Sequence, residues 1–245
     1  MEAVQILAIG AHPDDIDIGS AGLLLKEGAR GRALGALDLT RGERASRGTI
    51  QDRLGEADEA AGLLGLRWRH QLELPDGELR DGPAERRALV EILRAARPEV
   101  LIGPSADDPH PDHRAAAALV AATWFLAGVA GFAPELGAAH RPLRRLEMVV
   151  RPGRRPDLLV PIDAVWDRKL AVLRCFRSQL IDDAPHRHGL ARPLEEVDVV
   201  ARTFGALAGC ERAEGFVAPD GWVTSGVIEG QRTPEQASGS DPQGL

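Results

Sequence analysis

The chain predicts an α/β fold, a three-layer sandwich around a mostly parallel sheet, and three features carry that expectation. Short apolar runs of strand length alternate with longer stretches of helical spacing. The first strand, helix and strand follow one another within about 35 residues, as a βαβ unit requires. Turn residues fall just after the strands. Alternating strands and helices put helices on both faces of the sheet, a Rossmann-like arrangement whose informative loops leave the carboxyl ends of the strands.

Val4 to Gly10 is continuously apolar and ends in the turn Ala11-His12-Pro13-Asp14-Asp15, so it reads as a buried strand. From Ile16 to about Gly31, Ile18, Ala21, Leu24 and Leu25 recur at helical spacing, with Asp14 or Asp15 available as the N-cap. Ala33 to Leu39 is the second strand. Thr40 to Gly48 reads as a loop, Thr49 to Leu64 as a helix, Trp68 to Leu72 as a strand and Pro75-Asp76-Gly77 as a turn. A helix over Ala84 to Ala96 closes before Pro98, a brief strand covers Val100 to Gly103, and Arg114 to Ala127 is an alanine-rich helix. Beyond Gly131 the pattern is less regular, with strands expected at Leu146 to Val150 and Leu158 to Val160 and helices at Ala164 to Arg177 and Glu195 to Leu207.

With 44% hydrophobic residues among 245, the chain can bury a full core. Residues 1–228 are expected to form one domain and 229–245, polar and rich in Gly, Pro and Ser, a disordered tail. A formal charge of −7 argues against a phosphate-backbone partner, so no nucleic acid is expected. The two cysteines, Cys175 and Cys210, stand far apart in apolar surroundings, which fits inert thiols in a reducing compartment. No basic segment precedes the first apolar run, and no stretch approaches the ~20 apolar residues of a membrane span. A soluble cytoplasmic protein with no membrane partner is the expectation.

Two clusters carry chemistry: His12-Pro13-Asp14-Asp15 after the first strand and His110-Pro111-Asp112-His113 after the fourth. In a parallel sheet both strand ends face the same side, so residues about 100 positions apart can meet at one site. Imidazole and carboxylate are the ligands of catalytic zinc, where three protein groups leave a position for water. These clusters offer more groups than three ligands need, which leaves others free for acid–base work. Taken alone, Asp14-Asp15 could simply cap a helix; a second His-Pro-Asp block at another strand end is hard to obtain from capping. A dinucleotide site is the competitor at a first βαβ turn, but its Gly-x-Gly-x-x-Gly is missing. Gly19 and Gly22 fall inside the helix, where they suit close packing, and only Asp38 at the second strand's end favours that reading. His70, His140, His186 and His188 sit in Arg- or Pro-rich contexts and read as surface residues.

These blocks resemble those of the LmbE/PIG-L-type zinc deacetylases, which hydrolyse N-acetyl groups on glucosamine-containing substrates. The resemblance runs from about Ile6 to Phe216 and takes in Thr40-Arg41-Gly42-Glu43, Arg53 with Glu56, Leu74-Pro75-Asp76-Gly77, Phe176-Arg177-Ser178-Gln179-Leu180 and Glu211-Arg212-Ala213-Glu214-Gly215-Phe216. The late blocks are similar in particular to the bacillithiol-pathway branch, whose substrate is N-acetylglucosaminyl malate. The resemblance implies one zinc per chain held by His12, Asp15 and His113, although Fe(II) or Mn(II) also suits such a ligand set. It implies that Asp14 is the base that activates water, that His110 stabilises the oxyanion or protonates the leaving amine, and that Asp112 orients His110. Arg53 and Glu43 become substrate contacts, and a homotrimer or homohexamer is the implied assembly. The chain departs from its relatives in two ways. It has no tyrosine, where many place one near the site, and it has Pro109 where some bacillithiol-branch members carry an arginine. A different amino sugar, chitobiose-like or from the mycothiol pathway, is the nearer alternative; a sugar- or nucleotide-binding module without turnover is the other.

Overall fold

In the computed structural model, which describes residues 1–151, 153–181 and 193–221, the first strand, β1 (Ile6–Gly10), is buried at every position. Its apolar run is continuous because both of its faces are covered. Ile6 and Ala8 join the core under one helical layer, while Leu7 and Ile9 join the core under the other. The remaining strands are β2 (Leu34–Asp38), β3 (Trp68–Gln71), β4 (Val100–Gly103), β5 (Arg144–Val149), β6 (Leu158–Pro161) and β7 (Ala213–Val217). Their order in the sheet is β3-β2-β1-β4-β5-β7-β6. β3, β2, β1, β4 and β5 are mutually parallel, and β7 runs antiparallel to both of its neighbours. The helices are α1 (Asp15–Ala29), α2 (Ile50–Leu64), α3 (Pro83–Ala96), α4 (Pro111–Ala127), α5 (Trp166–Leu173) and α6 (Pro193–Ala208). α1, α2 and α5 supply one outer layer and α3 with α4 the other. The predicted α/β sandwich with a mostly parallel sheet is the observed fold.

The chain leaves β1 for β2 on one side and returns to β4 on the other, so β1 and β4 are adjacent strands whose following loops diverge. A crevice opens at the carboxyl ends of strands where order reverses in this way. Both His-Pro-Asp blocks leave the sheet there. The loop after β2 is tied to the first block: Leu39 N–H donates to Gly10 O at 2.9 Å, and Thr40 Oγ1 donates to Ala11 O at 2.9 Å.

Three differences from the sequence reading have physical causes. α4 begins at Pro111, not Arg114, because proline suits a first helical position, and His110 takes the N-cap. The single helix expected over Ala164 to Arg177 is a short 3₁₀ turn at Asp163–Val165, then α5, then a wide turn at Arg177–Ile181. β7 escapes an apolar-pattern search because Glu214 and Gly215 interrupt it. The tail beyond residue 228, together with His186 and His188, lies outside the described residues.

Glu214 is nevertheless buried, and its pairing explains why. Its carboxylate accepts from Gly22 N–H at 2.7 Å, Leu23 N–H at 2.8 Å and Lys169 Nζ at 2.6 Å, while Lys169 Nζ also donates to Ile18 O at 2.7 Å. The ion pair therefore engages α1 at a carbonyl and at the N–H four residues later, fixing that helix to β7 and α5. Such contact needs α1 to lie close, and Gly19 and Gly22 permit it: a Cβ on Gly19 would stand 2.6 Å from Met148 Sδ, and one on Gly22 2.5 Å from Ile162 Cγ2. Gly22→Ala is expected to destabilise the protein by about 1–3 kcal/mol through overpacking. Urea denaturation checks this, and a midpoint equal to wild type would show that α1 is not held by this contact.

Candidate metal centre and active site

The β1 turn places His12, Asp14 and Asp15 at the head of α1, and the β4 loop places His110, Asp112 and His113 at the head of α4. Three cations fix the start of α1. Arg53 Nη2 donates to Pro13 O at 2.6 Å, Arg69 reaches the buried Asp17 at 3.0 Å and Asp38 at 2.8 Å, and Lys169 holds Ile18 O. Asp38, the one feature that favoured a dinucleotide site, is therefore consumed by Arg69.

The ring centroids of the three histidines lie 4.7–5.4 Å apart. His12 Nδ1 is 3.5 Å from Asp15 Oδ2, and His113 Nε2 is 3.2 Å from Asp15 Oδ1. The other nitrogen of each ring is backed by buried carboxylates. His12 Nε2 faces Asp76 Oδ1 at 3.1 Å and Asp112 Oδ2 at 3.3 Å, and His113 Nδ1 faces Asp108 Oδ1 at 3.2 Å. Those carboxylates are held in turn by backbone N–H groups: Gly77 on Asp112 at 2.6 Å, Arg44 on Asp76 at 2.8 Å and His110 on Asp108 at 2.7 Å.

This donor set suits a divalent metal. His12, Asp15 and His113 each offer a ligand atom, all within 4.8 Å of one another. Each imidazole turns one nitrogen to the shared carboxylate and donates from the other to an acid that fixes its tautomer, the usual second layer of a metal site. His12, His110 and Asp112 also lie close enough together to hold an ion. That set would take Asp112, whose carboxylate already meets His12 Nε2 and the Gly77 and Leu79 N–H groups, so the first set is the better site.

The roles expected for the surrounding residues can be compared with their places. Asp14 occupies the N-cap position of α1 but makes no capping hydrogen bond, and its backbone stands at φ 123°. That is a strained conformation for a residue other than glycine. Its carboxylate faces Arg53 Nη2 at 3.5 Å. Arg53, expected against the sugar, is buried beneath the turn, and its Nε has no partner. Glu43, the other expected substrate contact, accepts from Asp76 N–H at 2.9 Å and so braces the Asp76 turn. Asp112 was expected to orient His110 through its carboxylate. That carboxylate goes to His12 instead, and His110 Nδ1 accepts from the Asp112 backbone N–H at 3.2 Å. The correction follows from the helix: both residues lie in the first turn of α4, where an N-cap side chain meets the N–H two positions on. With Nδ1 an acceptor, the His110 proton sits on Nε2.

Asp76 and Asp108 were missed. Asp76 lay in plain view within Leu74-Pro75-Asp76-Gly77 but reads as turn chemistry, and Asp108 sits in a loop with no pattern at all.

The cluster is electrostatically tense. Burial opposes a charge on His12, but the hydrogen bond and charge of Asp15, with the charges of Asp76 and Asp14, outweigh it and raise the pKa to about 9. Burial likewise opposes a charge on His113, and Asp15 and Asp108 raise its pKa to about 10. Burial and the neighbouring Asp15 push Asp14 upward against Arg53 and His12. Despite burial, His113 and His12 hold Asp15 well below the usual carboxylate range. His110 is pushed down by burial and by the charges of His113 and His12.

Beside these groups lies a cavity of about 720 Å³. Asp14, Asp15, Asp108 and His113 line its polar end, and Met148, Leu180, Val197, Val200 and Phe204 contribute apolar wall. The described residues contain no helix long and apolar enough to cross a membrane.

The chain is similar to several known proteins. Residues 7–124 match the family model PIG-L, GlcNAc-PI de-N-acetylase, and so include both His-Pro-Asp blocks. The fold superposes on the crystal structure of the conserved protein TT1542 from Thermus thermophilus with a TM-score of 0.82 and 34% identity, covering 93% of this chain and all of that one. The diacetylchitobiose deacetylase of Thermococcus kodakarensis is 29% identical over 86% of this chain and 82% of its own length. The 4-oxalmesaconate hydratase of Pseudomonas putida is 25% identical over 71% of this chain and 73% of its own. Over the segment that carries both His-Pro-Asp blocks the chain is similar to the PIG-L family.

Proton linkage at the two histidines is measurable without any substrate. Both folded-state values lie above the ordinary 6.5, so in metal-free protein these residues contribute stability fully below about pH 6.5 and lose it as pH rises through about 9 and 10. A divalent ion bound by the nitrogens that face Asp15 must displace a proton from each. Calorimetric titration of metal-free protein with Zn²⁺ at pH 7 in buffers of different ionisation enthalpy is expected to show release of about two protons per ion. Binding without proton release would exclude His12 and His113 as ligands.

Proposed function

We propose that this protein is a metal-dependent amidohydrolase that removes the acetyl group from an N-acetylglucosamine derivative. The observation that carries the reading is the pair of imidazoles sharing Asp15, each backed by a buried acid, beside an aspartate that neither caps its helix nor belongs to the ligand set. His12, Asp15 and His113 would hold one divalent ion, for which zinc is the first candidate. When bound, such an ion lowers the pKa of a coordinated water toward about 7 and polarises an acyl oxygen.

The protein's own groups supply the rest. Asp14 accepts a proton from the water that attacks the acetamide carbon. The carbonyl oxygen gains negative charge as the new C–O bond forms, and His110, neutral with its proton on Nε2, donates a hydrogen bond to it. The C–N bond then breaks, and the proton held by Asp14 passes to the departing nitrogen, leaving acetate and a free amine. A carboxyl with an elevated pKa suits this shuttle, because it can both take and return a proton near neutral pH. Arg53 fixes the turn that aims Asp14, and the absence of tyrosine leaves oxyanion stabilisation to His110 and the ion.

The diacetylchitobiose deacetylase relative supports an amino-sugar substrate, and the similarity of the late sequence blocks to the bacillithiol branch favours N-acetylglucosaminyl malate. A second reading has a specific observation behind it, the 4-oxalmesaconate hydratase relative: addition of water to an unsaturated carboxylic acid in the same cleft. The two differ in product, since only the hydrolase releases acetate.

Asp14→Asn keeps size and capping ability but cannot take a proton at neutral pH. Its zinc content and melting temperature are expected to stay near wild type, while acetate release from N-acetylglucosaminyl malate falls by roughly 10²–10⁴-fold. Activity within about threefold of wild type would refute Asp14 as the base, because that fold loss is the usual contribution of a positioned acid or base. Absence of acetate release by metal-loaded wild type, with hydration of 4-oxalmesaconate observed, would move the assignment to the second reading.

A further inference from the structure

The 720 Å³ cavity extends from Asp15 and His113 along Met148, Val149 and Val150 to Arg151. A smaller cavity of about 260 Å³ shares Ser105, Asp108, Val149, Val150 and Arg151 with it. Arg151 therefore stands on the wall common to both, immediately past the end of β5.

The other cations near this wall are committed. Lys169 is buried between Glu214 and Ile18 O. Arg154 donates to Ser105 Oγ at 2.7 Å and lies 3.5 Å from Glu147. Arg145 pairs with Glu147 at 3.3 Å and Asp220 at 3.0 Å. Arg151 makes no hydrogen bond and no close ion pair with any described residue; the one charge that acts on it is the more distant carboxylate of Asp108, and its side chain is exposed. Packing does not account for it.

The acids that share the cavity make that guanidinium, held by no hydrogen bond or close ion pair, meaningful. Asp14, Asp15 and Asp108 line the same cavity, so an anionic molecule within it meets carboxylates unless a cation on its wall receives its charge. A guanidinium presents a planar fork that matches carboxylate or phosphate oxygens in pairs, and an unpaired one need not break an existing bridge to do so.

We propose that Arg151 anchors an anionic group, a carboxylate or a phosphate, carried by the substrate at a point remote from its acetamide. This rests on the amidohydrolase reading for the identity of the substrate. The binding site itself stands on the placement of Arg151 between the two cavities. The anionic part of the ligand lies against Arg151 while the acetamide lies against Asp14 and His113.

The test uses the zinc-loaded protein and amine products, which are not turned over: glucosaminyl malate, glucosamine 1-phosphate and methyl glucosaminide, which has the amine but no anionic group, titrated calorimetrically. Wild type is expected to bind an anion-bearing ligand at least about tenfold more tightly than the one without an anion, with a preference that shrinks as salt is raised. Arg151→Ala is expected to cut that ratio by about tenfold and Arg151→Lys by less, because a lysine keeps the charge without the fork. Preference for the malate over the phosphate identifies a carboxylate as the natural group, and the reverse identifies a phosphate. Equal binding of ligands with and without the anion by wild type, or an equal loss of both in Arg151→Ala, overturns the anchor. Acetate release from the corresponding N-acetyl compounds is measured in parallel. Its absence with the charge preference intact would remove the hydrolase reading and leave the anchor standing.

Discussion

Carboxylates and imidazoles alternate through the centre of this protein, and the remainder of the site is arranged around keeping that sequence neutral. Asp112 and Asp76 meet one nitrogen of His12, Asp15 lies beside the other, Asp15 also meets His113, and Asp108 closes the row. Burying a carboxylate without a partner costs several kcal/mol, and each acid here is met by an imidazole, a backbone N–H or both. Proton uptake by the histidines is one way to balance the row; a divalent ion is the other. The same arrangement therefore explains the raised histidine pKa values and the fitness of the site for a metal. It also explains why the flanking loops are ordered as they are, since Gly77, Leu79, Arg44 and His110 all direct N–H groups at these acids.

That row exists only because two strands distant in sequence are neighbours, and because the helix carrying two of its neighbouring acids is held at a fixed height. Arg53, Arg69 and Lys169 grip Pro13, Asp17 and Ile18 over a span of six residues. Strain at Asp14 is tolerated within this grip. A positive φ on a non-glycine residue costs of order 1–3 kcal/mol and persists where surrounding contacts over-determine it. Asparagine or aspartate at an N-cap ordinarily recovers about 1 kcal/mol through its side chain, and Asp14 forgoes that bond. A residue that accepts strain and declines its easiest hydrogen bond has its carboxylate directed elsewhere, which is why it is the strongest candidate for the base.

The sequence made the frame of this site legible and left its lining obscure. Continuous apolar runs at β1 and β4 and the turn residues after them place both His-Pro-Asp blocks on one sheet edge, because burial on two faces leaves a signature that does not depend on the neighbours' identities. Partners of the histidines leave none. Asp76 and Asp108 act through a loop's path in space, and a single aspartate in a loop looks the same whether it faces water or an imidazole. Asp112 shows the same limit from the other side: its nearness to His110 in sequence suggested a carboxylate–imidazole pair, yet the first turn of α4 sends the carboxylate across to His12. Lys169 and Glu214 were hidden because a buried ion pair erases the apolar pattern by which strands and helices are found.

This chain's relatives include both a named deacetylase and a named hydratase, and the proposed roles of Asp14 and His110 would suit either reaction. Each reaction adds water to an electrophilic carbon and needs a base for its proton and a donor for the charge that develops. In the proposed roles, Asp14 and His110 would offer those functions without reference to the substrate's skeleton. Amide cleavage asks for one thing more, a proton delivered to the departing nitrogen, and this requires the base to hold its proton until the C–N bond breaks. Burial and the neighbouring Asp15 both favour the protonated form of Asp14, while Arg53 and His12 oppose it. On the proposed reading, that net upward shift would let Asp14 hold the proton until the C–N bond breaks.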